Sequence, residues 1–130
     1  MLVKYSGGCH CKAVTFEVMA PDELVVFKCN CSICYIKQNH HFIIPERSFT
    51  LLTGGDALSE YRFNTRIAVH YFCKICGVQS FYRPRSNPNG YGINVYSVDT
   101  SPASSVTYQD FDGENWEAFF QGSDISKYSA

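Results

Sequence analysis

Seven cysteines fall into three short clusters, and their spacing constrains this chain more than any other feature of it. They read Cys9-His10-Cys11, Cys29-Asn30-Cys31-Ser32-Ile33-Cys34 and Cys73-Lys74-Ile75-Cys76-Gly77. An odd number cannot all pair as disulfides. The spacings C-x-C, C-x-C-x-x-C and C-x-x-C are those of metal ligands. Tetrahedral zinc takes four thiolates in a structural site, and three protein ligands plus an open position in a catalytic one. Seven is four plus three, so the count itself suggests one closed zinc and one open zinc per chain.

Spacing does not decide which clusters share an ion. On an extended strand, residues i and i+2 face the same side. Cys9 and Cys11 can therefore grip one ion together, as can Cys29 and Cys31, with a turn through Ser32-Ile33 bringing Cys34 back to them. Gly77 permits a tight turn in which amide N–H groups face the sulfurs. If the middle cluster is a site of its own, Cys9, Cys11, Cys73 and Cys76 complete a four-sulfur site that staples distant strands. A rival grouping joins Cys9 and Cys11 to Cys29 and Cys31, but strands Cys34 and leaves the last pair short of a site. Plain burial in an apolar core fits poorly with a cluster flanked by Lys28, Asn30 and Ser32. One or two of the seven could still be free thiols.

At 130 residues the chain is expected to form one domain, residues 1–130, with a real core. No run is apolar for the length a membrane span needs. Met1-Leu2-Val3-Lys4-Tyr5 does not read as a signal peptide, so the cysteines are expected to be reduced or metal-bound. The expected compartment is the cytoplasm, with access to the nucleus. Net charge is -1, which argues against a general nucleic-acid binder, and no basic recognition helix is present to make a DNA-binding zinc ribbon.

The pattern reads as all-β. Val14, Phe16 and Val18 alternate with Ala13, Thr15 and Glu17. Leu24 to Phe27, His41 to Ile44, Tyr61 and Phe63, Val69 to Cys73, Ser80 and Tyr82, Tyr91 to Val95, and Val106 and Tyr108 make further short strands. Turn signals lie at Gly7-Gly8, Pro21-Asp22, Gly54-Gly55 and Ser86 to Gly90. Many short strands at this spacing suggest packed sheets. Two helical stretches are expected, Ile33 to Gln38 and Asn115 to Gln121. In the second, Trp116, Phe119 and Phe120 form an aromatic face expected to pack on the core, and Gly122 stops it. Residues 121–130 read as a C-terminal tail, frayed from 123 onward.

Taken together, Gly7-Gly8-Cys9-His10-Cys11, Cys29 to Cys34 and Phe72-Cys73-Lys74-Ile75-Cys76-Gly77 resemble the glutathione-dependent formaldehyde-activating enzyme family. Three motifs in order across residues 5–120 make the resemblance specific. Within that family the chain resembles the centromere protein V branch most, through stretches such as His41-Phe42-Ile43-Ile44-Pro45 and Gly77 to Tyr82. The resemblance implies a β-tent fold of packed antiparallel sheets pinned by zinc. It implies that Cys9, Cys11, Cys73 and Cys76 hold a structural zinc and that Cys29, Cys31 and Cys34 hold a second zinc linked to activity. The implied chemistry is that of a carbon–sulfur lyase, in which formaldehyde and glutathione form S-(hydroxymethyl)glutathione reversibly, with a small thiol as partner. A different class of function, a non-catalytic zinc-scaffolded interaction module, predicts a closed second site, or none, and an exposed apolar patch.

Lys37, Arg47, Arg83 and Arg85 are candidates to meet the carboxylates of glutathione. His10 should point away from Cys9 and Cys11. His40 or His41 could supply a fourth ligand or a proton shuttle. For each histidine, including His70, a polar edge-strand residue is the favoured reading.

Overall fold

The computed structural model describes residues 1–130. Ten strands build two sheets. In chain order they are β1 (Leu2–Gly8), β2 (Thr15–Pro21), β3 (Glu23–Cys29), β4 (His40–Pro45), β5 (Phe49–Thr53), β6 (Leu58–Tyr61), β7 (Val69–Cys73), β8 (Phe81–Arg83), β9 (Gly90–Asn94) and β10 (Ser105–Phe111). Two six-residue helices, α1 (Ser32–Lys37) and α2 (Trp116–Gln121), and five 3₁₀ turns complete the chain. The all-β expectation holds.

A three-stranded sheet has the order β1-β2-β5 and a seven-stranded sheet the order β10-β3-β4-β9-β8-β7-β6. Every pairing is antiparallel except β10 on β3, which runs parallel from Ser105 opposite Glu23 to Phe111 opposite Cys29. The alternation of β2 buries Phe16, Val18 and Ala20. These side chains meet Leu24 and Val26 of β3, Phe42 and Ile44 of β4, Phe81 and Ile93 in the main core. Phe16, Phe49, Phe81 and Tyr91 pack ring on ring, with centroids 4.4–5.8 Å apart, a spacing at which aromatic pairs add to area burial.

Three expectations change. Gly7-Gly8 is not a turn but the end of β1, where a Cβ on Gly7 would come within 2.6 Å of the Phe16 ring. Close approach explains that glycine. Cys9 and Cys11 lie beyond the strand, in the β1–β2 connection. There Lys12 takes a positive φ of 66° and Cys9 N–H donates to the Val14 carbonyl. The two cysteines therefore converge through a turn and not through strand alternation.

The C-terminus is not frayed either. Residues Ile125–Ser129 form a 3₁₀ turn that docks on β4. Ile125 joins Phe27, Ile43 and Phe111 in a second small core, and the Tyr128 ring meets Phe27 edge-on at 5.3 Å. Buried Asn87 donates through Nδ2 to the Ile125 carbonyl at 3.0 Å and to Ser129 Oγ at 2.7 Å. A local reading misses this because the partners sit about forty positions upstream.

Candidate metal centres and active-site cavity

Two groups of sulfurs form. Cys9, Cys11, Cys73 and Cys76 converge in one, and Cys29, Cys31 and Cys34 in the other, with the ligand atoms of each group within 4.8 Å of one another. The rival grouping of Cys9 and Cys11 with the middle cluster does not occur. In the first group Cys9 Sγ and Cys11 Sγ are 3.6 Å apart, and Cys11 Sγ and Cys73 Sγ 3.7 Å. Four sulfurs around a tetrahedral zinc at about 2.3 Å stand about 3.8 Å from each other. The donor set and its spacing thus fit zinc.

Backbone amides surround these sulfurs. Val14 N–H points at Cys9 Sγ at 3.4 Å. N–H groups of Cys11 and Val78 face Cys76 and hold its thiol down at about 6. Gly77 makes the second contact possible: its φ of +77° turns the chain so that its own N–H reaches the Cys73 carbonyl at 2.7 Å. The left-handed conformation favours glycine there.

The three-cysteine group is built differently. Cys29 closes β3, Cys31 is the N-cap of α1, and Cys34 lies on the first turn of that helix, buried. Cys34 N–H donates to Cys31 Sγ at 3.5 Å, and buried Asn39 directs its Nδ2 at Cys34 Sγ at 3.6 Å. Hydrogen bonds from the Cys29 and Cys34 thiols hold Cys31 far below the usual thiol range. Cys31 in turn pushes Cys29 up, and Cys29 together with Cys31 pushes Cys34 up. A bound metal would displace the protons that Cys29 and Cys34 keep. Only cysteines make up either group. His40 instead pairs with the Tyr96 hydroxyl at 2.9 Å, and His10 lies exposed on the β1–β2 connection. No histidine closes the second cluster.

These three sulfurs border a cavity of about 730 Å³, within the usual range for small-molecule sites. Part of its wall comes from the segment that follows β10. Gly113 abuts the cluster so closely that a Cβ there would lie 2.6 Å from Cys29 Sγ and 2.6 Å from Cys31 Cβ. Glu114 N–H donates to Asn30 Oδ1 at 3.0 Å and ties that loop to the cluster. Trp116 lines the cavity, so the aromatic face of α2 is partly a cavity wall, beyond the core packing expected of it.

Of the four basic candidates, only Arg85 lines the cavity. Its guanidinium lies 3.8 Å over the Trp116 ring and pairs with Glu117. Arg83 is engaged by Glu46 and Tyr91, Arg47 by the Ala130 carbonyl, and Lys37 by Gln79 Oε1.

Over residues 4–114 the chain matches the family described as glutathione-dependent formaldehyde-activating enzyme. The protein belongs to that family. It is also similar to a Rhodobacter sphaeroides protein of known crystal structure, at 32% identity and a TM-score of 0.66. The match covers 82% of this chain and 100% of that one. Family membership supports an enzymatic role in general, and both cysteine groups lie inside the matched region.

Two histidines read as edge-strand residues are instead buried, His41 at 3% and His70 at 2% exposure, and both line the cavity. His41 is held at Nδ1 by the Asn39 carbonyl, 3.2 Å away, and at Nε2 by the Tyr82 hydroxyl, 3.0 Å away. A carbonyl only accepts, so Nδ1 carries the proton and the Tyr82 O–H donates to Nε2. Burial depresses the His41 pKa to about 4, keeping the ring neutral.

Proposed function

We propose that the protein is a zinc-dependent carbon–sulfur lyase that interconverts a small thiol and formaldehyde with their S-hydroxymethyl adduct, glutathione being the thiol the family name supplies. One observation carries this reading: three converging cysteines with no fourth protein ligand border a cavity of small-molecule size. Cys29, Cys31 and Cys34 would hold the active zinc, and Cys9, Cys11, Cys73 and Cys76 a structural one. All-thiolate donor sets favour zinc among the common divalent ions.

Zinc held by Cys29, Cys31 and Cys34 would supply the positive charge that favours a thiol as its thiolate, the nucleophilic form. The chain's own residues do the rest. Arg85, stacked on Trp116, offers the cavity's guanidinium to a carboxylate of the thiol compound, in exchange for its exposed partner Glu117. Phe63, Tyr82 and Trp116 give aromatic walls that exclude water and hold the reacting carbon near the sulfur. The non-catalytic module reading calls for a closed second site or none, and three cysteines converging beside a cavity favour neither.

The test is exchange NMR on purified, zinc-loaded protein, following the interconversion of formaldehyde plus glutathione with the adduct. Acceleration is expected, together with its loss in Cys31→Ser while the circular dichroism stays that of the parent. Turnover unchanged in Cys31→Ser would sink the reading.

A further inference from the structure

The molecule leaves three buried side-chain atoms without a hydrogen-bonding partner: His70 Nδ1, Gln79 Nε2 and Ser80 Oγ. They lie on β7 and on the segment leading into β8, and His70 stands opposite Tyr82 in the β7–β8 ladder. His70 is wedged between rings, 5.1 Å from Tyr82 at 15° and 5.8 Å from Phe63 at 28°. It also lines the cavity beside the three cysteines. Unpartnered buried polar atoms cost free energy, so an unpartnered imidazole nitrogen on a residue of the cavity wall calls for a reason.

Hydrogen-bonding chemistry supplies it. Lys37 Nζ donates to Gln79 Oε1 at 2.7 Å. An ammonium is donor only, so this contact fixes which end of the Gln79 amide is oxygen. The other end, Nε2, is donor only. The Gln79 side chain also adjoins the His70 ring. Pairing the two orphans with each other requires His70 Nδ1 to accept and the ring proton to sit on Nε2. Burial, aided by the Lys37 charge, lowers the His70 pKa and keeps the ring neutral. That pairing would extend the Lys37–Gln79 contact into a line of donors running one way, from the Lys37 ammonium through the Gln79 amide to the His70 ring. Buried His41 is the opposite tautomer, protonated at Nδ1. Its Nε2 is taken by Tyr82 and has nothing to donate.

We propose that His70 Nε2–H is the hydrogen-bond donor that holds the oxygen of the aldehyde and of its thiol adduct, with Gln79 and Lys37 as the positioning residues that fix its tautomer. The proposal rests on the lyase reading above. As the carbon–sulfur bond forms, a sulfur lone pair bonds to carbon and the carbonyl π pair moves on to oxygen. That oxygen, held by His70, then takes up the proton the thiol released to solvent. In the reverse direction the adduct hydroxyl loses its proton to solvent, the carbonyl re-forms, and the carbon–sulfur pair leaves with sulfur. A donor aimed at an oxygen that gains charge stabilises the transition state more than the bound reactants.

Two measurements test this. Nitrogen-15 NMR of the zinc-loaded protein reads the His70 tautomer directly, without a variant. The resonance is assigned by its loss in His70→Phe or, should that variant not fold, by its contacts with the Tyr82 ring. A proton on Nε2 is expected, giving way to a mixture in Gln79→Leu; a proton on Nδ1 in the parent overturns the proposal. Exchange kinetics provide the second reading. His70→Phe keeps the stacked ring and should lose about 10²-fold in kcat with KM unchanged, while Gln79→Leu should lose about 10-fold. An unchanged kcat in His70→Phe overturns the donor role and leaves the lyase reading standing. No turnover in the zinc-loaded parent overturns the lyase reading, and the donor role with it.

Discussion

Cys11 Sγ lies 3.7 Å from Cys73 Sγ, although 62 positions separate the two residues in the chain. The contact joins the β1–β2 connection of the small sheet to the end of β7 in the large one. A metal held there binds the folded chain and has no preformed site in the unfolded one, so its binding free energy adds to folding. Complete chelation is therefore expected to abolish the cooperative thermal melt, and Cys73→Ser to do so without chelator. A thermal midpoint that survives complete metal removal would refute a structural role for this group.

Gly113 gives a more selective handle. Its missing side chain leaves room for Cys29 Sγ and Cys31 Cβ, each 2.6 Å from where a Cβ would stand. Neither neighbour is the loose end of a flexible chain, so Gly113→Ala must push the loop or the cluster aside. The expected outcome is a drop from two zinc ions per chain to about one, with the melt of the four-cysteine staple retained. Metal analysis after gel filtration would report it; two ions retained at full occupancy would count against the tight packing.

His41 predicts a pH dependence of stability. Its folded pKa is about 4 against an ordinary value of 6.5, because burial disfavours the charged ring. Between those values the unfolded chain binds a proton that the folded chain does not. Stability is thus fully present above pH 6.5, falls as pH drops toward 4, and then levels off. The size is on the order of 3 kcal/mol. Urea titrations at several pH values should show that slope in the parent and lose it in His41→Gln, whose amide keeps a donor and an acceptor.

Asn87 anchors the end of the chain. It is 1% exposed and donates to both Ile125 and Ser129. Asn87→Ala leaves those acceptors buried and unmatched and should cost about 1–3 kcal/mol. Limited proteolysis should then cut within residues 122–130, which the parent protects. Equal protection in the two proteins would mean that the apolar contacts of Ile125 and Tyr128 suffice.

Much of this architecture is legible in the residues themselves. Phe16 and Val18 alternate as buried strand residues should, and the arithmetic of seven cysteines anticipates the groups of four and three. Local pattern is silent on long-range partners. Nothing near Ile125 reveals Asn87, so the docked C-terminus reads as loose. His70 alternates like an edge residue because its second face is covered by Tyr82 and Phe63, brought there by other segments. Trp116 reads as core because helical spacing registers an apolar face without revealing that part of it borders a cavity. Gly113 carries no pattern at all; its role exists only against Cys29 and Cys31.

The cavity wall drawn from Phe111, Gly113 and Trp116 has a bearing on how the protein is made. The ribosome releases all seven cysteines well before it releases that wall. A nascent chain that has reached β9 already carries the three cysteines of the middle cluster, yet it has neither the cover over them nor the β10 strand that shields the edge of β3. Low-pKa, accessible thiolates are the ones oxidants find first, and an open strand edge invites pairing with other chains. The interval between the middle cysteines and the C-terminal segment is thus the window of greatest vulnerability in this protein's synthesis, and early metal capture is what would shorten it.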